Sequence, residues 1–224
     1  DQNYATRHRY YVDGSPVTMD ISTSSNQWKT ILVGGYRSGG AGYYALDVTD
    51  PTSPKVLWEV CNSSALCPNV IADMGLSFGN PVITRMPANH PSLAGRWVVL
   101  VTSGYNNVPS VNQQPTAVTT TPAATGKGQL FVLDPQTGAL LKTYTTNEGS
   151  TTAPINLGKV SSFAPNFYFD GTSSVAYAGD LKGNIWRFDL ALEPSSTTAV
   201  RKIATLVKDR KAQPISTKLE VGLL

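Results

Sequence analysis

An all-β chain built from repeated four-stranded antiparallel units is what this sequence predicts, and three observations carry that prediction. Short runs rich in Val, Ile, Tyr, Thr and Trp recur along the chain, separated by turns rich in Gly, Pro, Ser, Asn and Asp. A motif of Gly, apolar residues and a closing Asp occurs three times, each time at the same place in the repeat. Charged residues make up only 15% of the 224 residues, and 19 Gly and 15 Pro exceed what a helical protein carries.

The elements follow in order. A Pro-led apolar run opens each unit: SPVTMDI (15–21), NPVITRM (80–86), APNFYFD (164–170) and QPISTKL (213–219). In the first of these, Val17, Met19 and Ile21 alternate with polar neighbours, the period of a half-buried strand. Second strands follow in WKTILVGGY (28–36), WVVLVTSGY (97–105) and SVAYAGD (174–180). Trp28 and Trp97 each stand eight residues before a Tyr, with Gly35-Tyr36 and Gly104-Tyr105 closing the strand. The third strands are GYYALDVTDP (42–51), GQLFVLDPQTG (128–138) and GNIWRFDL (183–190). Their closing Asp47, Asp134 and Asp189 sit where strand meets turn, and there a carboxylate accepts hydrogen bonds from the amides just ahead. KVLWEV (55–60), LLKTYTT (140–146) and AVRKIATLV (199–207) complete the units.

Tandem four-stranded antiparallel units joined by short turns read as blades of a β-propeller. A β-sandwich is the runner-up, but it gives no reason for a repeated four-strand motif. The blades are expected over about 8–60, 76–146 and 160–207, with the start of a further blade at 212–224. A long insertion at 106–128, rich in Thr, Pro, Gln and Ala and without periodicity, is read as a mobile surface loop. Propellers typically close with about four to eight blades. Either residues 8–14 complete a fourth unit, or the chain is part of a larger ring; the second is the expectation.

The net charge of +3 gives no reason to expect a nucleic-acid partner. No apolar run approaches the length of a membrane-spanning helix. The amino-terminal DQNYATRHRYY does not read as a signal peptide, which leaves the compartment open. Cys61 and Cys67 are spaced for a disulfide closing a short loop, with two buried thiols as the alternative. A disulfide would stabilise by about 2.4 kcal/mol in the chain-entropy model and would imply an oxidising compartment.

Catalytic groups are few. Any Ser-His-Asp or Cys-His site would have to use His8 or His90, and neither has a partner motif. P-loop, HExxH and CxxC patterns are missing from the sequence, and the Gly-rich GGYRSGGAG (34–42) reads as a hairpin connection. Asp47, Asp50, Asp73, Asp170, Asp180 and Asp189 could support calcium, but no segment has three alternating acidic residues, so turn stabilisation is the expected role. The basic stretch RKIATLVKDRKAQPISTK (201–218) reads first as protection of strand edges, with a patch for an acidic partner as the alternative.

Taken together, HRYYVDGSP, WKTILVGGYRSGGAGYYALDVTDP, SFGNPVITRM, WVVLVTSGYNN and YAGDLKGNIWRFDL resemble the carboxy-terminal propeller of the PilY family, the PilC-type proteins of bacterial type IV pilus tips. The likeness runs from about residue 8 to QPISTKLEV, and GGAGYYALDVTDP and YAGDLKGNIWRFDL are its most specific parts. It implies a quinoprotein-like modified propeller within a large secreted protein, of which this chain supplies about half the ring. It also implies a non-enzymatic role in pilus biogenesis, adhesion and twitching motility, on the fimbrium or cell surface after passage through the periplasm. Its partners would be minor pilins of the tip and a host or abiotic surface receptor, with no cofactor. Members often carry an EF-hand-like calcium loop just before the YAGDL segment. Here Asn166, Asp170 and Gly171 stay in step with it, with Asp180 nearby in sequence, but Tyr168 and Ser174 replace oxygen-rich ligands. Calcium at this loop is therefore expected to bind weakly or not at all. Two other readings are a quinone-binding dehydrogenase propeller, which needs an enclosed axial pocket, and a generic protein-binding scaffold.

Overall fold

The structure is a computed structural model that describes residues 8–23, 27–108, 124–166 and 169–222. Its first sheet holds β1 (Val17–Ser22), β2 (Trp28–Gly35), β3 (Gly42–Asp47), β4 (Lys55–Cys61) and a short β5 (Asn69–Val70). The second holds β6 (Val82–Arg85), β7 (Trp97–Thr102), β8 (Gln129–Leu133) and β9 (Leu140–Thr145). The third holds β10 (Leu157–Ser162), β11 (Val175–Asp180), β12 (Asn184–Asp189) and β13 (Val200–Thr205), and the hairpin β14 (Val207–Lys208) and β15 (Lys211–Ala212) follows. Within each sheet the four long strands are antiparallel and in chain order, while β5 alone adds parallel to β4.

First strands meet at the inside of the array, β1 against β6 and β6 against β10, so the three sheets stand as successive blades about one axis. Fourth strands lie at the rim. Side-chain alternation explains the packing. In the middle sheet, Val99, Val101, Phe131 and Leu133 join a core with Ile31, Val33, Tyr43, Ala45 and Trp58 of the first sheet. Their strand neighbours Val98, Leu100, Leu130 and Val132 join the opposite core with Ala176, Ala178, Trp186 and Phe188 of the third. A strand buried on both faces needs apolar residues along its length, which is why WVVLV (97–101) and LFVL (130–133) run without polar interruption. The flanking sheets bury one face and alternate instead, as in NIWRFD.

Tryptophans join the blades. The Trp58 indole Nε1 donates to the Pro135 carbonyl at 2.9 Å, and its ring lies on Gly138, whose φ of +72° and missing side chain make room for it. Any Cβ at Gly138 would come within 2.8 Å of that ring. Trp97 spans all three sheets, donating to Ser22 Oγ at 3.1 Å on one side and covering Gly171 of the third sheet on the other. Tyr144 on β9 donates to the Leu192 carbonyl at 2.8 Å. Buried hydroxyls add Thr102 to Gly158 O and Thr84 to Gly171 O, each at 2.7 Å.

Two details differ from the sequence reading, and a third concerns the amino-terminal residues. The third sheet opens with β10 at 157–162, while 164–166 and 169–170 lie in the turn before β11; the Pro-led pattern there marks the turn and not the strand. Residues 213–222 form no strand; Ile215 packs on Gly179 of β11 and donates its amide to Asp180 O at 2.9 Å. Residues 10–14 run across Gly35 and Gly39 of the first sheet, with Arg37 Nη1 donating to Asp13 O, and do not extend the third.

Trp58→Ala should lower stability by roughly 3–5 kcal/mol through the cavity it leaves. Trp58→Phe, which loses the Pro135 bond and some contact area, should cost about 1 kcal/mol for the hydrogen bond and somewhat more for the missing ring. Equilibrium urea unfolding of both variants checks the order; equal, small losses would show that the indole does not join the blades.

Candidate functional site

Alternating strands send the connections to two ends of the array. One end carries the β2–β3 turn, the β7–β8 insertion, the β11–β12 hairpin and the linkers between sheets. The opposite end carries the β1–β2, β3–β4, β6–β7, β8–β9, β10–β11 and β12–β13 connections.

The acidic turns divide between these ends. Asn166 and Asp170 share a turn in the β10–β11 connection, where the Asp170 amide donates to Asn166 O at 3.0 Å. Asp170 Oδ1 is occupied by the Thr172 amide at 2.9 Å, and Tyr168 lies outside the described residues. Asp180 closes β11 at the other end, about 17 Å away along a strand of that length. It is fully buried, and both its oxygens are used: Oδ1 accepts the Lys182 and Asn184 amides at 2.8 and 2.9 Å, and Oδ2 accepts Asn184 Nδ2 and Trp186 Nε1 at 2.9 and 2.8 Å. The three candidate ligands are thus not brought together. Asp180 instead knots the β11–β12 hairpin.

Asp47, Asp134 and Asp189 play one shared role. One oxygen of each accepts from the turn ahead, at Thr49, at Gln136 and Thr137, and at Ala191. The other oxygen meets a cation: Lys29 at 2.8 Å, Arg96 at 3.0 Å and Arg187 at 3.1 Å. For Asp47, the Lys29 ammonium and the Thr49 hydroxyl hold the carboxyl down at about 2.

His90 is buried between the second and third sheets. Its Nδ1 accepts the Ser92 and Leu93 amides at 3.2 and 3.0 Å, so in the neutral ring the proton sits on Nε2, which faces Tyr144 Oη at 3.4 Å. Tyr144 in turn gives its own proton to Leu192 O. With both nitrogens engaged, the ring has no lone pair left to serve as a base; it ties a loop to β9. Burial pushes its pKa down, opposed by the Glu193 carboxylate and helped by Lys142. His8 stacks edge-on against Tyr10.

Cys61 and Cys67 are bonded to each other, with Cα atoms 6.0 Å apart. The bond turns the chain back at the rim so that β5 can lie beside β4, Asn69 opposite Val60 and Val70 opposite Cys61. Residues 109–123 of the insertion lie outside the described residues, and hydrogen bonds fasten both legs of its root. Asn107 Nδ2 donates to Lys127 O at 2.7 Å and the Gly126 amide to Asn107 O at 3.0 Å. Asp73 accepts from the Thr125 amide and hydroxyl and from Gln129 Nε2, and the Asn106 amide reaches Asn156 Oδ1 at 2.8 Å.

Beside this root lies a tier that the sequence reading missed. The Arg37 guanidinium stands 5.3 Å over the Phe78 ring, and Phe78 stacks on Tyr105 at 5.1 Å. Tyr36 stacks on Tyr44 and donates to Glu59 at 2.6 Å. Ser77 Oγ accepts both the Tyr36 and Arg37 amides, fixing the turn in which Arg37 has a φ of +50°. The repeated Gly-Tyr at 35–36 and 104–105 was the available signal. At this end of the array these half-buried side chains pack the first blade against the second.

A family model described as the PilY1 β-propeller domain matches residues 1–207. The chain belongs to that family. It is 37% identical over 183 residues to the type IV pilus biogenesis factor PilY1 of Pseudomonas aeruginosa PAO1, covering 82% of this chain and 13% of that protein. A PilY1 homologue of Xylella fastidiosa is 30% identical over 216 residues, covering 96% of this chain and 14% of its own length. The crystal structure of the Pseudomonas aeruginosa PilY1 C-terminal domain superposes with a TM-score of 0.67 at 31% identity, over 93% of this chain and 40% of that one. The chain therefore spans a small part of the PilY1 proteins it matches, and the sheets described above are blades of the PilY1 propeller.

Two outcomes follow from these turns. A neutral His90 in the folded chain binds protons less readily than in the unfolded chain, so stability should fall as pH drops through about 6.5. The carboxylates Asp47 and Glu193, whose pKa values are held down by Lys29 and Lys142, lose their contributions only below about pH 4.5. Unfolding midpoints at pH 7.5 and 5.5 should therefore differ in the parent chain and converge in His90→Gln. Separately, calorimetric titration with calcium should give weak or no heat; micromolar affinity abolished by Asp170→Ala would reverse the reading of that turn.

Proposed function

We propose that this chain is a non-enzymatic module of a type IV pilus biogenesis factor, working at the pilus tip in assembly, adhesion and twitching motility. Membership of the PilY1 propeller family is the observation that carries this reading, and it extends from relatives much longer than this chain. The Cys61–Cys67 bond supports passage through an oxidising compartment, such as the periplasm, on the way to the cell surface. Minor pilins of the tip and a host or abiotic surface are the partners. The insertion end, with its pinned root and the Arg37, Phe78 and Tyr105 tier, is the surface offered to them.

The dehydrogenase reading finds no free base at His90, whose ring is committed to structure on both nitrogens. Deleting residues 109–123 in the full-length parent protein, expressed in a strain lacking its own copy, tests the assignment. Attachment should drop several-fold while pili still assemble. Unchanged attachment and piliation would remove the insertion as the binding element, and a strain that piliates and twitches normally without the protein at all would remove the pilus role.

A further inference from the structure

The two junctions between the three sheets are finished differently at the end opposite the insertion. At the second junction the β6–β7 connection (86–96) fills the space: His90 and Leu93 are buried there, Ser92 Oγ donates to Glu193 at 2.6 Å, and Tyr144 reaches Leu192 O. At the first junction the corresponding β1–β2 connection (23–27) is shorter. A cleft of about 270 Å3 remains between the end of β1, the start of β7 and the turn after β8. Its walls are two neighbouring sheets of this chain, so its shape does not depend on a blade outside the chain.

The side chains that line the cleft keep hydrogen-bonding capacity in reserve. Ser22 Oγ accepts from Trp97 Nε1 at 3.1 Å, and among the described residues its own proton goes to no acceptor. Arg96 gives an Nη2 proton to Asp134 Oδ2 at 3.0 Å, and among the described residues its other donors meet no acceptor. Gln136 is bonded through its backbone amide, to Asp134 Oδ1, which leaves its carboxamide open. Trp97 is half-buried, with its N–H given to Ser22 and Arg85 6.0 Å over its ring, so it can add only apolar surface. Because Arg96 and Asp134 balance each other, the lining is polar without a net charge.

We propose that this cleft binds a single uncharged sugar ring. Convergent polar groups beside an aromatic wall are the composition of a small-ligand site, and a volume just under the drug-sized range suits one ring. The hydroxyls of a pyranose both donate and accept, so they can meet Arg96, Gln136, Ser22 and the second lone pair of Asp134 Oδ2, while the C–H surface of the ring lies against Trp97. A charged ligand fits less well: a carboxylate or phosphate must compete with Asp134 for the guanidinium, and an amine with Arg96 for the carboxylate. The inference stands apart from the pilus reading, and failure of either leaves the other untouched.

The probes are the methyl pyranosides of glucose, galactose and mannose, titrated into the nitrogen-15-labelled chain and followed by amide and indole chemical shifts. At least one should saturate in the millimolar range. It should move the Trp97 indole and Gln136 carboxamide signals and leave the indole of Trp186, buried in the other core, in place. Gln136→Ala and Arg96→Met, each with a spectrum otherwise matching the parent, should weaken that sugar at least ~5-fold. Glycerol, glucosamine and N-acetylneuraminic acid serve as controls and should bind less well than the neutral ring. Absence of shifts with all three pyranosides overturns the proposal. So does an equal response to glycerol, which would mean that no ring is recognised, or a preference for either charged sugar, which would make this an ion-pairing site. Unchanged affinity in both variants would put the sugar elsewhere and overturn it too.

Discussion

Two-sided burial of the middle sheet is the constraint on which the other features rest. β7 and β8 send successive side chains into different cores, so neither core can be altered without the strand that also serves its neighbour. A sheet without a wet face cannot stand alone, and its neighbours each have one face that only it covers. The indoles of Trp58 and Trp97 reinforce this by resting on glycines of the following blade, where a Cβ would come within 3 Å of the ring. Stability in such an array is a sum of neighbour terms, and the terms that matter are those between blades.

Much of this was legible in the sequence because the repeat is written in residue types with narrow physical roles. Gly at the start and Asp at the end of each third strand mark its bounds to within a residue at 42–47, 129–133 and 184–189. The unbroken apolar runs at 97–101 and 130–133 announce a blade covered on both faces. What misled was also local. In the third unit the Pro-led pattern is displaced by one element: Ala164 and Pro165 open a turn, while LGKVSS, whose Gly158 lies close under Gly179, carries little apolar signal yet forms β10. β5 was invisible for a different reason, since two residues pairing in parallel have no period to read.

Carboxylates show why a site is harder to read than a fold. Asp170 and Asp180 lie ten positions apart in the chain and look like neighbours, yet a strand between them carries them to opposite ends. Asp180, the one most deeply buried, spends all its hydrogen-bonding capacity on Lys182, Asn184 and Trp186. His90 is the same lesson in another residue: isolated in sequence, it proves to be gripped on both nitrogens by its surroundings. The Arg37, Phe78 and Tyr105 tier lay in plain view as three separate residues, and only the folding of two blades onto one another assembles it.

The root of the β7–β8 insertion has an evolutionary corollary. Its two legs are fastened to each other through Asn107, Gly126 and Lys127, and to separate parts of the scaffold through Asp73 and Asn156. A clasp of that kind isolates strand register from whatever length or composition lies beyond it. Changes beyond the clasp can therefore accumulate without shifting β7 against β8.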